Sequence, residues 1–122
     1  MISSGNMEIK RGDIVLANFN PAKGSEMSKI RPCLIIQNDI GNKYSPNTIV
    51  LAITSKLPNK SYPTDVFLPK EISDLEKDSV ILCSHIYTFS IEDRIIKKIS
   101  EIKNINIISK INQALKTSLG II

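Results

Sequence analysis

The chain has 122 residues, 42% of them hydrophobic and 23% charged, which is enough for one real core and too apolar for a disordered tail. A net charge of +4 mildly favours a polyanionic partner, but three Phe, three Tyr and no Trp argue against a broad base-stacking platform. No run of about 18 apolar residues occurs, so no membrane-spanning helix and no membrane partner are expected.

The N-terminus, MISSGNMEIK, lacks the apolar segment of a secretory leader, which points to a cytoplasmic protein and sets residues 1–7 apart. They read as a flexible N-terminal extension, with a single domain over 8–122. Ile14 to Phe19 is β-rich and reads as the first strand, broken by Asn20-Pro21. Residues 20–30 form a loop whose length in so small a domain points to function. A second strand is expected at about 32–38, turn formers at 39–48, and a third strand from Ile49 to Thr54. KLPNKSYPT at 56–64 is a second irregular loop, and Asp65 to Leu68 a short fourth strand closed by Pro69. Residues 70–78 are charged, with room for a helical turn. Val80 to Phe89 is the longest β-like stretch, and its second half alternates polar and apolar as an open face requires. Ser90 caps a single turn, and Arg94 to Ile99 reads as the last strand. The spacing of Ile108, Ile111, Leu115 and Leu119 predicts a helix over 105–118, capped by Asn104 or Asn106 and ended by Gly120.

Short strands, long loops and a terminal helix suggest a small, partly open barrel, mainly β, with the helix packed against it. Cys33 and Cys83 lie inside apolar runs without a Cys-x-x-Cys pair, so they read as reduced, buried thiols. With one histidine in the chain, no zinc site is expected.

Residues 24–38, GSEMSKIRPCLIIQN, organise the rest. A polar, Gly-led loop runs into Ile30-Arg31-Pro32, and the apolar run Cys33 to Ile36 follows at once. Pro32 biases Arg31 toward extended backbone, and the apolar run reads as a strand buried on both faces. A guanidinium on rigid scaffold beside a loop suits a phosphate or carboxylate, although a lone arginine is more often one half of a surface ion pair.

These stretches together resemble the MazF-type, PemK-like toxin endoribonucleases of bacterial toxin–antitoxin pairs. The resemblance is carried by RGDIVLANF at 11–19, GSE at 24–26, RPCLIIQNDIGN at 31–42 and SPNTIVLAITS at 45–55. YPTDVFLP at 62–69, DSVILCSHIYTF at 78–89 and the end of the C-terminal helix continue it. It implies an SH3-like antiparallel barrel with a C-terminal helix, and a homodimer whose two subunits share one groove. It also implies metal-independent, cofactor-free, sequence-selective cleavage of single-stranded RNA, leaving 2′,3′-cyclic phosphate and 5′-OH ends. Position by position, it implies catalytic roles for Arg31 and Thr54. It implies RNA contacts at Phe19, Ser25, Glu26, Ser55, Tyr62, Pro63, Thr64, Ser84 and His85. A MazE-like antitoxin is the implied protein partner, with operator DNA bound only through the antitoxin complex.

The chemistry fits the residue types. An arginine presents a planar, permanently charged fork to phosphate oxygens, and a threonine hydroxyl can hold a non-bridging oxygen. Alone, Thr54 reads as an ordinary β-branched strand residue. Ser84-His85 stands where close relatives tend to carry Glu-Gln, and Tyr87 where they carry a basic residue, so base selectivity is expected to differ. Histidine is the one side chain whose unperturbed titration falls between about pH 5 and 8. His85 is therefore a candidate for tuning cleavage, beside its ordinary reading as a strand residue bonded to a neighbour. Two competing readings are a non-catalytic barrel that binds nucleic acid or peptide, and a gyrase-poison toxin of similar architecture. Lys23, Lys29, Lys56 and Lys60 would give a basic groove suited to the acidic tail of an antitoxin.

Overall fold

The computed structural model describes residues 7–20 and 29–122. Among them, six strands form one antiparallel sheet: β1 (Asp13–Asn18), β2 (Ile30–Ile35), β3 (Asn47–Thr54), β4 (Asp65–Leu68), β5 (Ser79–Ser90) and β6 (Ile95–Glu101). Their order is β4-β5-β3-β2-β1-β6, so β4 and β6 stand at the two edges and the barrel stays open between them. Register shifts in the β1–β6 and β3–β5 pairs bend the sheet, as bulges do. Short helices α1 (Asp39–Tyr44), α2 (Lys70–Ser73) and α3 (Ile91–Arg94) sit in the connections, and α4 (Ile105–Leu119) closes the chain.

Both faces of the sheet are covered. On one, Ile14, Leu34, Leu51, Ile53 and Ile81 meet Ile107, Ile111 and Ala114 of α4. On the other, Val15, Ala17, Cys33, Ile35, Val50 and Phe89 form a second cluster, joined by Ile91 and Ile95 and backed by Ile9, Met7 and Phe19. The run Cys33-Leu34-Ile35 feeds both clusters in alternation, which is why it shows no polar break.

The helix matches its sequence signals at both ends. Asn104 Oδ1 accepts from the N–H groups of Asn106 and Ile107, and Gly120 takes the left-handed φ of +72° that a non-glycine residue resists. Its buried stripe differs from the expected one: Ile107, Ile111 and Ala114 face the sheet, Ile108 and Leu115 flank them, and Leu119 is 58% exposed. The buried line thus runs through the small Ala114 and leaves Leu119 at the exposed end of the helix. The second strand also begins earlier than expected, at Ile30, so Arg31 and Pro32 lie inside it.

A polar knot fixes the end of β3 remote from Thr54. Buried Thr48 donates from Oγ1 to Asn42 Oδ1 at 2.7 Å, and Gln37 Nε2 donates to the same oxygen at 3.0 Å. Arg11 ties three further elements together through its N–H on Asp39 Oδ1 (2.7 Å), Nε on the Ile36 carbonyl (2.9 Å) and Nη2 on Asn112 Oδ1 (3.0 Å). The Arg11 backbone N–H holds the Asp39 carboxyl below its ordinary range.

Burial pushes the Cys33 and Cys83 thiols up to about 12, so both stay neutral and unreactive well above neutral pH. Folded protein at pH 8 is therefore expected to resist a thiol reagent, with both cysteines labelled only after denaturation. Removing the helix anchor with Ile111→Ala should cost about 2–5 kcal/mol, and removing the cap with Asn104→Ala about 1 kcal/mol, read from urea unfolding midpoints.

Candidate active site

The β2–β3 register runs Ile35↔Val50, Leu34↔Leu51, Cys33↔Ala52. Continued by two residues, it sets Arg31 across from Thr54. Arg31 shares the face of Cys33, and Thr54 the face of Ala52, so both side chains leave the sheet on the same side. That face is the one covered, farther along, by the cluster of Val15, Cys33, Val50 and Phe89. The hydrogen-bonded ladder stops before this pair, so the two residues project from strand ends.

Arg31 is exposed, and among the described residues its guanidinium has no hydrogen-bond or ion-pair partner. The surface ion pair that a lone arginine suggests is not formed there. Its position is fixed from both sides, by pairing with Ala17 on β1 and by the buried run that follows it. Thr54 is half-buried. Its Oγ1 accepts the Lys56 N–H at 3.1 Å, which orients the hydroxyl and leaves its own proton free to donate.

Thr54 also lines an open groove of about 650 Å³ between the ends of β3, β4 and β5 and the 56–64 loop. Lys56, Asn59, Tyr62, Thr64, Asp65, Ser84 and His85 share its wall. Ser84 and His85 reach it because of a break in β5. Leu82 pairs with Ala52 and Ile86 with Leu51, so Cys83, Ser84 and His85 have no partner on β3. Cys83 turns its N–H to the Thr64 carbonyl at 2.8 Å instead, and the two following side chains swing outward, exposed.

The residues anticipated from sequence thus fall into four groups. Thr54, Tyr62, Thr64, Ser84 and His85 share the groove, with Ser55 and Pro63 exposed in the adjoining chain. Arg31 faces Thr54 from the neighbouring strand. Phe19 lies at the end of β1 and packs its ring against Tyr87 and Phe89. Ser25, Glu26 and Lys23 lie outside the described residues, whereas Lys29 is exposed next to β2.

Sequence reasoning passed over Asp65 and Arg94. Asp65 brings a carboxylate into the groove wall, and its place directly after Tyr-Pro-Thr was the available signal. Arg94 donates from Nε to the Asn18 carbonyl (2.7 Å) and from Nη2 to the Phe19 carbonyl (3.4 Å), with Cζ 4.4 Å from the Phe89 ring centroid. It lies about 75 residues from its partners in sequence, and no local pattern marks it. No group of three or more His, Cys, Asp or Glu among the described residues is arranged to hold a metal ion.

Comparison with known proteins bears on this geometry. Residues 10–119 match the family described as PemK-like, MazF-like toxin of type II toxin–antitoxin system. The chain is similar to the endoribonuclease MazF of Staphylococcus saprophyticus, with 42% identity over 113 residues, 93% of this chain and 92% of the relative. It is similar to the endoribonuclease EndoA of Bacillus subtilis, with 40% identity over 116 residues, 95% and 98% of the two chains. Its fold is that of a MazE-MazF crystal structure from Deinococcus radiodurans, at TM-score 0.77 and 22% identity over 96% of this chain and 100% of that one. A mycobacterial endoribonuclease solved with its cognate antitoxin has the same fold, at TM-score 0.75 and 20% identity over 93% and 97%. The family match and the two close relatives, spanning nearly the whole sequence, show that the chain belongs to the PemK-like, MazF-like toxins of type II toxin–antitoxin systems.

Proposed function

We propose that the protein is the toxin of such a pair and acts as a sequence-selective endoribonuclease on single-stranded RNA, with Arg31 and Thr54 as its catalytic residues. The observation that carries the reading is the pair itself. A guanidinium without a partner among the described residues and a hydroxyl with a free proton leave facing strand ends on one side of the sheet, and Thr54 also lines a groove.

In the proposed step the RNA's 2′-oxygen attacks the adjacent phosphorus. A bond forms from the 2′-oxygen to phosphorus, the bond to the 5′-oxygen breaks, and the products carry a 2′,3′-cyclic phosphate and a 5′-hydroxyl. The 2′-hydroxyl gives its proton up to solvent water, and the departing 5′-oxygen takes one back, so no net proton is consumed. Arg31 would span the phosphate oxygens as negative charge builds on them and, as a second role, protonate the leaving oxygen and recover a proton from water. Thr54 donates its free proton to a non-bridging oxygen and keeps phosphorus in line with the attack. Ser84, His85, Tyr62 and Thr64 would contact the strand along the groove, with Ser55 and Pro63 at its margin and Phe19 at the end of β1. Ser25 and Glu26, outside the described residues, are proposed as further RNA contacts. His85, brought to the groove wall by the break in β5, would contact the RNA there.

We further infer that residues 8–122 act as one toxin domain, that two copies share a composite groove in a homodimer, and that the protein works in the cytoplasm. A MazE-like antitoxin with an acidic tail would occupy the groove, drawn by Lys56, Lys60 and Arg31, and only that complex would bind operator DNA. Among relatives of the same fold, a mycobacterial endoribonuclease and MazF of Deinococcus radiodurans were solved with their antitoxins, which supports the partner.

A defined RNA incubated with the protein in EDTA should be cut, with fragments ending in 2′,3′-cyclic phosphate. Retarded but intact RNA would replace the nuclease with a binding module, and DNA damage without RNA cleavage would indicate a gyrase poison. Arg31→Ala and Thr54→Val should each lower kcat/KM by about 10²–10³-fold, while unfolding midpoints move by no more than about 0.5 kcal/mol. His85→Ala should lower the cleavage rate, and an unchanged rate and pH–rate profile would remove His85 from the chemistry.

A further inference from the structure

Three of the chain's six phenylalanines and tyrosines converge on one spot. Phe19 meets Phe89 with ring centroids 4.9 Å apart at 87°, and Tyr87 with centroids 5.0 Å apart at 81°. Tyr87 and Phe89 lie 5.6 Å apart at 37°. Phe89 is the floor of this group at 3% exposure, whereas Tyr87 keeps 39% of its surface open. A tyrosine that only completes a core buries its ring and finds a partner for its hydroxyl. Tyr87 does neither: among the described residues its hydroxyl has no hydrogen-bond partner.

The group is held rigid from behind. Arg94 stacks over Phe89 while its guanidinium holds the Asn18 and Phe19 carbonyls. That charge is thereby committed to the chain's own backbone, and Phe19 is fixed in place. Tyr87 pairs with Val50, whose side chain shares the Arg31–Thr54 face. Val50 precedes Thr54 by four residues on β3, a run of about 13 Å. Tyr87 is thus on the same face as the catalytic pair but too far away to touch the scissile phosphate.

We propose that Tyr87, braced edge-on by Phe19, is a stacking platform for one nucleobase of the bound RNA, at least one nucleotide removed from the cleaved linkage. The proposal deepens the nuclease reading and rests on it. A cation at this point would contact a phosphate, whereas a tyrosine offers a π face that accepts a base of any identity. The subsite therefore adds affinity and register along the strand, and leaves discrimination to the groove around Ser84 and His85.

The test uses the full-length protein and a single-stranded RNA carrying its mapped cleavage sequence, with the scissile 2′-hydroxyl replaced by hydrogen. Tyr87→Leu keeps an apolar cover over Phe89 but loses the ring. It should weaken Kd about 5- to 100-fold, and Tyr87→Phe should restore it. On cleavable RNA the loss should appear in KM with kcat nearly unchanged. Placing an abasic nucleotide at each position in turn should find one, away from the cut, where the wild type weakens by a similar factor and Tyr87→Leu does not weaken further. Equal Kd for Tyr87→Leu and wild type would overturn the platform. So would a wild-type abasic scan with no such position, a result that needs no variant to fold. If wild-type protein still cleaves RNA in either case, only the platform fails. If it neither cleaves nor binds RNA, the nuclease reading fails and the platform with it.

Discussion

The run Cys33-Leu34-Ile35 is committed on both sides of the sheet, and the geometry of the site depends on that commitment. Leu34 packs under α4 while Cys33 and Ile35 pack in the opposite cluster, each at 2% exposure or less. Burying each aliphatic side chain is worth roughly 1.5–3 kcal/mol, and a slip of one residue would exchange the two faces and put both clusters out of register. β2 is therefore held in one alignment between β1 and β3. Arg31, two residues before Cys33, inherits that alignment although no hydrogen bond or ion pair among the described residues holds its guanidinium. A charged group can be left free for a ligand because its backbone is fixed by neighbours that never meet the ligand.

Much of this was legible in the sequence, because it followed from local signals. The continuous apolar character of residues 33–36 gave the doubly buried strand, and the caps at Asn104 and Gly120 bounded α4 closely. Ser90 capping a single turn was readable for the same reason, and its Oγ does accept the Asp93 N–H. The facing of Arg31 and Thr54 was foreseen only as a convergence, since register between distant strands is set by packing across the whole sheet.

What escaped was non-local. The largest side chains of α4 point to a stripe through Leu115 and Leu119, whereas the buried line runs through Ile107, Ile111 and the small Ala114. The three residues of β5 that leave the ladder sit in a stretch whose alternation read as an uninterrupted strand. Arg94 looked like the opening of a last strand, but its guanidinium serves two carbonyls at the far end of β1. Each of these depends on what the folded chain brings alongside, and the linear sequence carries no local trace of it.

The departure of Cys83, Ser84 and His85 from the β3 ladder has a consequence for recognition. Cys83 keeps its side chain in the core and its N–H on Thr64, so the sheet is secured on either side of the break. The two exposed residues are then free to vary in character without loosening anything beneath them. Under the proposed reading, exchanging that dipeptide would change what the groove recognises while the scaffold beneath it is kept, so a shift in recognition need leave no mark on how the chain folds.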